Sequence, residues 1–254
     1  MNTTTILVTG GTGGLGGHVV PRLVGPGRRI RVLTRSPRPA APGVEYVVGD
    51  TVEGVGRDGA MVGVDVVLHL AGGPKGDDVG TRNVAEAARA AGVGHVVMIS
   101  VIGAESMPIG YFRRKAESER ILAESGVPWT VVRAAQFHGF AYGMANGMAK
   151  LPIVPVMKDV RLEPVAVQDV AARIAELAFQ PPQGRVADLA GPEVRSLESL
   201  IDELPVRHRP HLRFGLPGAV GRAYRSEANL AGAGAARGTG TWTEFLEARE
   251  AARP

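Results

Sequence analysis

Three glycines, Gly10, Gly13 and Gly16, lie near the start of the chain between two short segments of regular character. Residues 5–9 (TILVT) are apolar and β-branched, which indicates a buried parallel strand, and residues 18–24 (HVVPRLV) have the spacing of a helix. In a strand–turn–helix unit, the first glycine permits the tight turn, the second lets the backbone approach a pyrophosphate, and the third allows close helix–strand packing. The arrangement therefore predicts a dinucleotide site at this first turn.

Strands and helices alternate along the first half of the chain. Further strands are predicted at 30–34, 44–48, 65–72, 95–100 and 128–135, and further helices at 80–93 and 111–125. The helix at 80–93 is predicted to bury one face, formed by Val84, Ala87, Ala88 and Ala91. This alternation is typical of βαβ units, in which right-handed crossovers build a parallel sheet.

The rhythm changes after about residue 136, where the chain becomes rich in Gly, Met and Pro. A helix at 167–179, a last strand at 185–191 and three short helical patterns follow, at 196–204, 217–229 and 242–252. We predict an α/β chain with a doubly wound, parallel-sheet Rossmann core at 1–136, completed by 164–191. A smaller C-terminal, substrate-side lobe is expected to combine 137–163 and 192–254. Its segment 232–240 is rich in Gly and Ala, which indicates a mobile connector.

Composition excludes several classes of protein. The 254 residues are 44% hydrophobic and 21% charged and include no cysteine, so disulfide stapling and thiolate catalysis are excluded and a cytoplasmic location is expected. Neither a signal peptide nor an apolar stretch long enough to span a membrane is evident, and we expect no membrane association. The net charge of +4 comes from scattered arginines, without a dense basic run. No nucleic-acid partner is therefore predicted.

The end of the second predicted strand discriminates between the two nicotinamide dinucleotides. An acidic residue there would hydrogen-bond the ribose 2′-hydroxyl of NAD, but the chain has Arg35 and Ser36, with Arg38 close by. Because arginine binds phosphate bidentately, we predict NADP(H); the alternative is that Arg35 is a solvated surface residue. Asp50 and Thr51 follow the third strand and are placed to meet the adenine, although Asp50 is equally suited to capping a helix.

Several motifs, taken in chain order, match a known family. They are LVTGGTGGLGGHVV (7–20), VLTRS (32–36), HLAGG (69–73), GTRNVAEAARAAGVGHVVMIS (80–100), YFRRK (111–115), SGVPWTVVRAAQFHGF (125–140) and PVAVQDVA (164–171). Together they resemble the atypical, extended short-chain dehydrogenase/reductases, and in particular the NmrA-like NAD(P)H-binding branch. The resemblance covers roughly residues 5–191 and is specific for fold and cofactor, not for the reaction.

The resemblance implies a set of cofactor contacts. The residues that would surround the pyrophosphate are Gly10, Thr12, Gly13, Gly14, Leu15 and Gly16. Arg35 and Ser36 would hold the 2′-phosphate. Those that would pass beneath the adenosine ribose are Leu70, Ala71 and Gly72. Those that would line or pack against the nicotinamide are Ser100, Val101, Ala135, Gln136 and Phe137.

Tyr111 and Lys115 are the candidate catalytic pair, because a spacing of four places both on one helix face. In the family that the chain resembles, such a tyrosine gives its proton to a carbonyl oxygen as hydride arrives from NADPH, and the lysine positions the ribose hydroxyls. The serine that usually completes the set lies one or two residues beyond Ser100, where this chain has Val101 and Ile102. Either Ser100 substitutes or the site lacks that hydroxyl. The alternative for Tyr111 itself is a half-buried aromatic at the helix start, with Lys115 holding only the ribose.

Other residues admit two interpretations each. His138 follows the sixth strand, where it could polarise a carbonyl or act as an acid, or could simply satisfy nearby backbone. An adaptable apolar pocket and the core of a helix both explain the spacing of Phe137, Phe140, Met144 and Met148. His208 and His211 have no third ligand in the sequence and Pro210 lies between them, so we predict no metal.

The sequence as a whole favours an NADPH-dependent oxidoreductase that reduces a small apolar carbonyl, enone or quinone. Two alternatives stay open. The missing serine favours a non-catalytic NADP(H)-sensing regulator that binds a protein partner, and a nicotinamide-dependent epimerase or isomerase is also compatible with the motifs. A homodimer is a possible assembly, because dimers are common among the proteins that the chain resembles.

Overall fold

A computed structural model of the chain describes residues 3–73, 75–206 and 209–252, which form two compact units. Unit one contains the chain up to Ser100, together with Arg113–Val132 and Val170–Val186. Unit two contains Val101–Phe112, Arg133–Asp169 and the chain from Ala187 onward. The lobe boundaries predicted from the sequence stay a prediction.

Strands and helices are interspersed along the described part of the chain. The strands are β1 (Thr4–Thr9), β2 (Arg28–Thr34), β3 (Val44–Val48), β4 (Val66–His69), β5 (His95–Val101), β6 (Trp129–Ala134), β7 (Val154–Met157), β8 (Arg161–Leu162), β9 (Gly184–Arg185), β10 (Leu189–Ala190), β11 (Arg195–Ser196), β12 (His211–Phe214) and β13 (Ala236–Arg237). The helices are α1 (Gly16–Leu23), α2 (Arg57–Met61), α3 (Asp77–Ala90), α4 (Gly110–Glu124), α5 (His138–Ala149), α6 (Val167–Leu177), α7 (Leu197–Asp202), α8 (Gly218–Arg225) and α9 (Trp242–Ala251).

The sheet of unit one is parallel and has the strand order β3-β2-β1-β4-β5-β6, with β9 beside β6. Ile6 on β1 pairs with Ile30 on β2 and with Val66 on β4, in parallel register on both sides. This is the strand order of a doubly wound Rossmann fold, in which the order reverses between β1 and β4. The predicted α/β class with a parallel sheet is confirmed.

The core of unit one explains why these segments become strands and helices. Ile6, Leu7 and Val8 are completely buried, as expected for a parallel strand covered on both faces. On α3, the predicted buried face is confirmed at Val84, Ala87 and Ala88. It is wrong at Ala91, which is exposed because the helix ends at Ala90 and Gly92, with φ +68°, turns the chain away.

Unit two has its own core and smaller sheets. In it, β10 pairs in parallel with Ala134 of β6 and with β13, β8 pairs with β11 in antiparallel fashion, and β7 pairs with β12 in parallel. The core residues come from α5, β7, α7 and α9, and include Ala141, Ala145, Val156, Leu197, Leu200 and Trp242. Met144 and Met148 are partly buried against this core, whereas Phe140 is 62% exposed.

The expectation of a mobile connector at 232–240 is wrong. Ala236 N–H donates to Asp188 O and Gly238 N–H donates to Ala190 O, both at 2.8 Å, so this segment forms an added parallel strand. Asp169 Oδ2 then accepts the Thr239 and Gly240 N–H groups, which orders the chain before α9. Composition alone misses these partners because they come from distant parts of the chain.

Two other boundaries differ from the expectations. The single strand predicted at 185–191 is two short strands, β9 and β10, and the strand predicted at 65–72 ends at His69.

In the described residues, no helix combines the length and apolar character needed to cross a membrane.

Candidate functional site

The glycine turn after β1 is a close backbone contact. Gly10 has φ +69°, and its carbonyl accepts a hydrogen bond from Gly13 N–H at 3.0 Å. A Cβ atom at Gly10 would lie 2.5 Å from Ala71 N, and one at Gly16 would collide with the Gly10 carbonyl and Gly11 Cα. Glycine is therefore required at both positions, and the turn leaves space for a ligand that presses on the backbone.

The helix start that follows this turn favours an anion. Thr12, Gly13 and Gly14 are exposed, whereas Leu15 and Gly16 are buried. The first turn of α1 carries no acidic residue, and no side chain caps it. Because a helix N-terminus presents unpaired N–H groups and partial positive charge, these residues fit a pyrophosphate.

Arg35 and Ser36 lie just beyond the end of β2, and both are exposed. Thr34 Oγ1 donates to the Ser36 carbonyl at 3.1 Å, which shapes the backbone here. Within the described ranges, Arg35 forms no ion pair with a carboxylate. Its guanidinium is therefore available to a phosphate.

Asp50 caps a turn, not a helix. Its Oδ1 accepts the N–H groups of Val52 at 2.7 Å and of Glu53 at 3.1 Å. The carbonyl of Thr51 accepts Nδ2 of Asn83 at 2.8 Å, so this turn is tied to α3. The helix-capping alternative for Asp50 is therefore wrong, because its side chain orders a turn instead.

The backbone after β4 is held against β1. Leu70 N–H donates to the Thr9 carbonyl at 3.1 Å, and Ala71 N–H donates to Thr9 Oγ1 at 3.3 Å. Leu70 is buried, Ala71 is half-buried and Gly72 is exposed. The turn at 70–72 therefore has a defined position beside the glycine turn.

A buried imidazole connects this turn to α3. His69 Nδ1 lies 2.8 Å from Thr9 Oγ1, His69 Nε2 lies 3.2 Å from Thr81 Oγ1, and Thr81 Oγ1 donates to the Asp77 carbonyl at 2.8 Å. These contacts are satisfied together if His69 is neutral with its proton on Nε2. Burial, reinforced by the nearby Lys115 ammonium, lowers the pKa of His69 from 6.5 to about 4, which agrees with the neutral form.

Lys115 is buried and paired with a residue that the sequence analysis did not single out. Its Nζ lies 2.9 Å from Asp77 Oδ2, and the side chains are 9% and 4% exposed. A Cβ at Gly72 would lie 3.0 Å from Lys115 Nζ, so the ammonium sits directly against the turn after β4. An acidic residue opening the helix that follows this turn was the available signal for Asp77.

Ser100 does not present a free hydroxyl. It is buried near the end of β5, and its Oγ donates to the Glu119 carboxylate of α4. Val101 and Ile102, at the usual serine positions, are buried apolar side chains. The positions where the family usually has a catalytic serine therefore offer no hydroxyl in this chain, and the neighbouring Ser100 hydroxyl is engaged by Glu119.

Tyr111 and Lys115 share α4 but differ in environment. Tyr111, in the first turn, is 37% exposed, and its ring meets Phe112 edge-on with centroids 5.5 Å apart. Lys115 is 7% exposed. The tyrosine is therefore accessible at its position, whereas the lysine belongs to the buried polar network.

His138 is a buried structural residue at the start of α5. Its Nε2 lies 3.0 Å from the Pro164 carbonyl, to which it donates, and its ring packs against Trp242 and Phe245 with centroids 6.0 and 5.2 Å away. Burial lowers the pKa of His138 below its ordinary value. These contacts match the interpretation in which the histidine satisfies nearby backbone.

The segment between β6 and α5 carries an unmatched buried acceptor. Ala135 is buried and its N–H donates to the Leu189 carbonyl at 2.9 Å, while Phe137 is half-buried and bridges to Val165. Gln136 Oε1 is buried and accepts no hydrogen bond from the described residues. A buried acceptor of this kind fits a ligand that brings an N–H donor.

The histidines considered for a metal are only partly described, because His208 lies outside the described residues. His211 Nδ1 lies 3.0 Å from Glu198 Oε1, and atoms of Glu198, Asp202 and His211 approach one another within 4.8 Å. Arg213 Nη2 lies 2.6 Å from the same Glu198 oxygen. Hydrogen bonds from Arg213 and His211 lower the pKa of Glu198 to about 2, so its charge already has a cationic partner in Arg213.

Comparison with known proteins decides the family. The model of an NAD(P)H-binding family matches residues 10–181. The chain belongs to this NAD(P)H-binding family. The NAD(P)H-binding family that the resemblance implied is confirmed, and the match covers both the glycine turn and the segment that contains Lys115.

Individual relatives agree with this membership. A (4-alkanoyl-5-oxo-2,5-dihydrofuran-3-yl)methyl phosphate reductase of Streptomyces griseus is 36% identical over 217 residues, which are 82% of this chain and 76% of the relative. Quinone oxidoreductase 2 of Escherichia coli is 29% identical over a stretch that covers 78% of this chain and 73% of that protein. A crystal structure of the NADPH-dependent quinone oxidoreductase from Escherichia coli in complex with NADPH superposes with a TM-score of 0.81 at 22% identity, covering 96% of this chain and 99% of that one. At that identity, the likeness concerns the fold.

The first prediction concerns the glycine turn. Gly16→Ala should destabilise the protein by about 1–3 kcal/mol, because the added Cβ meets the backbone of the turn. The matched control is Gly17→Ala in the same helix, where an added Cβ meets nothing within 4 Å and stability should stay equal or rise slightly. Urea unfolding of both variants measures the difference, and equal stabilities would contradict the close packing at Gly16.

The second prediction concerns the neutral His69. The unfolded chain binds a proton at this residue below pH 6.5, whereas the folded protein does so only near pH 4. Stability present at pH 7 is therefore lost as the pH falls through this window, by about 2–3 kcal/mol from this residue. His69→Gln should show a shallower loss in urea unfolding between pH 7 and 4.5. His18→Gln on α1 is the control, and an unchanged slope in the His69 variant would show that the imidazole is not neutral.

Proposed function

We propose that this chain is an NADPH-dependent reductase of a small apolar substrate whose carbonyl is conjugated, such as an enone or a quinone. The observation that carries the proposal is the buried Lys115 ammonium against Gly72, in a chain whose first turn fits a pyrophosphate. The names of two relatives support the conjugated carbonyl, since a dihydrofuranone phosphate bearing an alkanoyl group and a quinone both contain one. When bound, the reduced nicotinamide supplies hydride to such a substrate.

The chain's own residues would hold and orient the dinucleotide. We assign the pyrophosphate to the backbone from Gly10 to Gly16, including Thr12, Gly13, Gly14 and Leu15, and the 2′-phosphate to Arg35 and Ser36. Lys115 would donate to the nicotinamide ribose hydroxyls. Gln136 Oε1, buried without a partner in the described part of the chain, would accept from the carboxamide. Residues assigned to apolar or backbone contacts with the cofactor are Thr51, Leu70, Ala71, Gly72, Val101, Ala135 and Phe137.

We assign proton donation to Tyr111. Reduction of a conjugated carbonyl leaves negative charge on the substrate, so a proton must be delivered by a group within hydrogen-bond reach. The accessible ring of Tyr111 supports this assignment. Ser100 and His138 are poorer candidates, because Ser100 Oγ donates to Glu119 and His138 Nε2 donates to Pro164 O.

One observation favours a second candidate, a non-catalytic NADP(H) sensor. The positions that usually supply the catalytic serine are the buried apolar side chains Val101 and Ile102, and Ser100 is engaged elsewhere. A sensor would bind the dinucleotide through the same residues without turning over a substrate. The two candidates therefore share the cofactor assignments and differ in the role of Tyr111.

The third prediction tests the cofactor preference. Arg35→Ala should weaken NADPH binding about 10- to 100-fold and leave NADH binding unchanged, because only NADPH carries the 2′-phosphate. Fluorescence titration of both dinucleotides measures this. Arg29→Ala, an exposed arginine at the opposite end of β2, is the control. Equal affinity of the unmodified protein for NADPH and NADH would contradict the role given to Arg35.

The fourth prediction separates the reductase from the sensor. Unmodified protein should oxidise NADPH in the presence of quinones or alkyl-substituted enones, and Tyr111→Phe should lower kcat about 100-fold or more with NADPH affinity unchanged. Stopped-flow absorbance of NADPH and a separate binding titration measure the two quantities. Full kcat in Tyr111→Phe would move the proton donor elsewhere, and absence of turnover across the panel would support the sensor.

A further inference from the structure

The buried carboxylate of Asp77 makes two contacts at the turn after β4. Its Oδ2 lies 2.9 Å from Lys115 Nζ, and its Oδ1 accepts the Gly73 N–H at 2.6 Å. Lys115 is the charged partner of Oδ2, and the backbone of the turn is the partner of Oδ1. One carboxylate therefore connects the turn at 70–73 to the lysine on α4.

The backbone of Asp77 is itself held by buried polar groups. Its carbonyl accepts the Thr81 hydroxyl at 2.8 Å, and Thr81 in turn contacts His69 Nε2 at 3.2 Å. Thr81 and His69 are 2% and 3% exposed, so water does not compete for these hydrogen bonds. The main chain that carries the carboxylate is thus tied to buried groups on β4 and α3, and the Gly73 N–H holds the carboxylate itself.

A fixed carboxylate matters because lysine is flexible. The ammonium has three rotatable donors on a four-carbon stem, and holding it in one place for a ligand has an entropic cost. An existing contact with Asp77 orders the stem before the ligand arrives and leaves the other donors for ligand oxygens. Gly72, where an added Cβ would lie 3.0 Å from Nζ, shows that the ammonium lies against exposed backbone.

We propose that Asp77 is a positioning residue for the nicotinamide half of the cofactor. It holds the Lys115 ammonium and the turn at 70–73 in the arrangement that binds the nicotinamide ribose. This inference rests on the proposed function, in which Lys115 binds that ribose. Asp77 acts through Lys115, and its effect is confined to the part of the dinucleotide beyond the pyrophosphate.

A cofactor fragment makes this inference testable. Adenosine 2′,5′-bisphosphate shares the adenine, its ribose and the 2′-phosphate with NADPH, but lacks the nicotinamide ribose. Asp77→Asn keeps an oxygen that can accept the Gly73 N–H and removes the charge that faces Lys115. We expect isothermal titration to show about 10- to 100-fold weaker NADPH binding and a change of less than about twofold for the fragment.

Matched variants complete the experiment. Asp78→Asn removes a neighbouring charge in the same first turn of α3 and should leave both affinities unchanged. Asp77→Glu retains the charge and should recover most of the NADPH affinity. Lys115→Met should weaken NADPH binding, and the double variant Asp77→Asn/Lys115→Met should bind NADPH no more weakly than Lys115→Met alone, because the two residues act as one unit.

The possible failures are distinguishable. Equal weakening of NADPH and fragment binding in Asp77→Asn would assign Asp77 a general structural role and overturn the inference. If that variant does not fold, the same comparison is made with Asp77→Glu. Losses of NADPH affinity that simply add in the double variant Asp77→Glu/Lys115→Met would then overturn the inference as well. Unchanged NADPH affinity in Lys115→Met would instead contradict the proposed role of the lysine. A loss in Lys115→Met without one in Asp77→Asn would contradict this inference alone.

Discussion

The backbone of Gly10 lies so close to that of Ala71 that no side chain fits between them, and the cofactor edge of unit one depends on this contact. Thr9 reinforces it by accepting the Leu70 and Ala71 N–H groups. Because β1 and β4 are neighbours in a parallel sheet, the turns that follow them leave the same edge. Any side chain at Gly10 would separate those turns and displace Gly72 from the lysine behind it.

The buried polar groups behind this edge form a consistent electrostatic arrangement. Asp77 and Lys115 compensate each other's charge, and both side chains are largely buried. A second positive charge beside Lys115 would be unfavourable, and this is one reason why the pKa of His69 is low. The hydroxyls of Thr9 and Thr81 satisfy both ring nitrogens, so the neutral imidazole leaves no buried nitrogen unpaired. Such a network retains its geometry because each member restricts its neighbours.

Much of the fold could be predicted from local patterns. The parallel strands and the buried face of α3 follow from apolar spacing, which depends on residues a few positions apart. Prediction was less successful where order comes from distant partners. The segment at 232–240 has the composition of a connector, yet β10 and Asp169 supply the hydrogen bonds that order it. Asp77 likewise has the pattern of an ordinary residue in a first helical turn, and only its burial beside Lys115 distinguishes it.

By itself, the sequence determined the strand–glycine turn–helix unit, because the positive φ of Gly10 and the contact of Gly16 with the Gly10–Gly11 backbone are local features that favour glycine. The tertiary structure decided which polar groups meet. Ser100 binds Glu119, 19 residues away, and His138 binds Pro164, 26 residues away. The spacing of apolar residues predicts which face of a helix is buried. The partner of a buried polar group depends on where that face packs against the sheet. For this reason the cofactor family could be inferred from the residues alone, whereas the pairing of Asp77 with Lys115 required the fold.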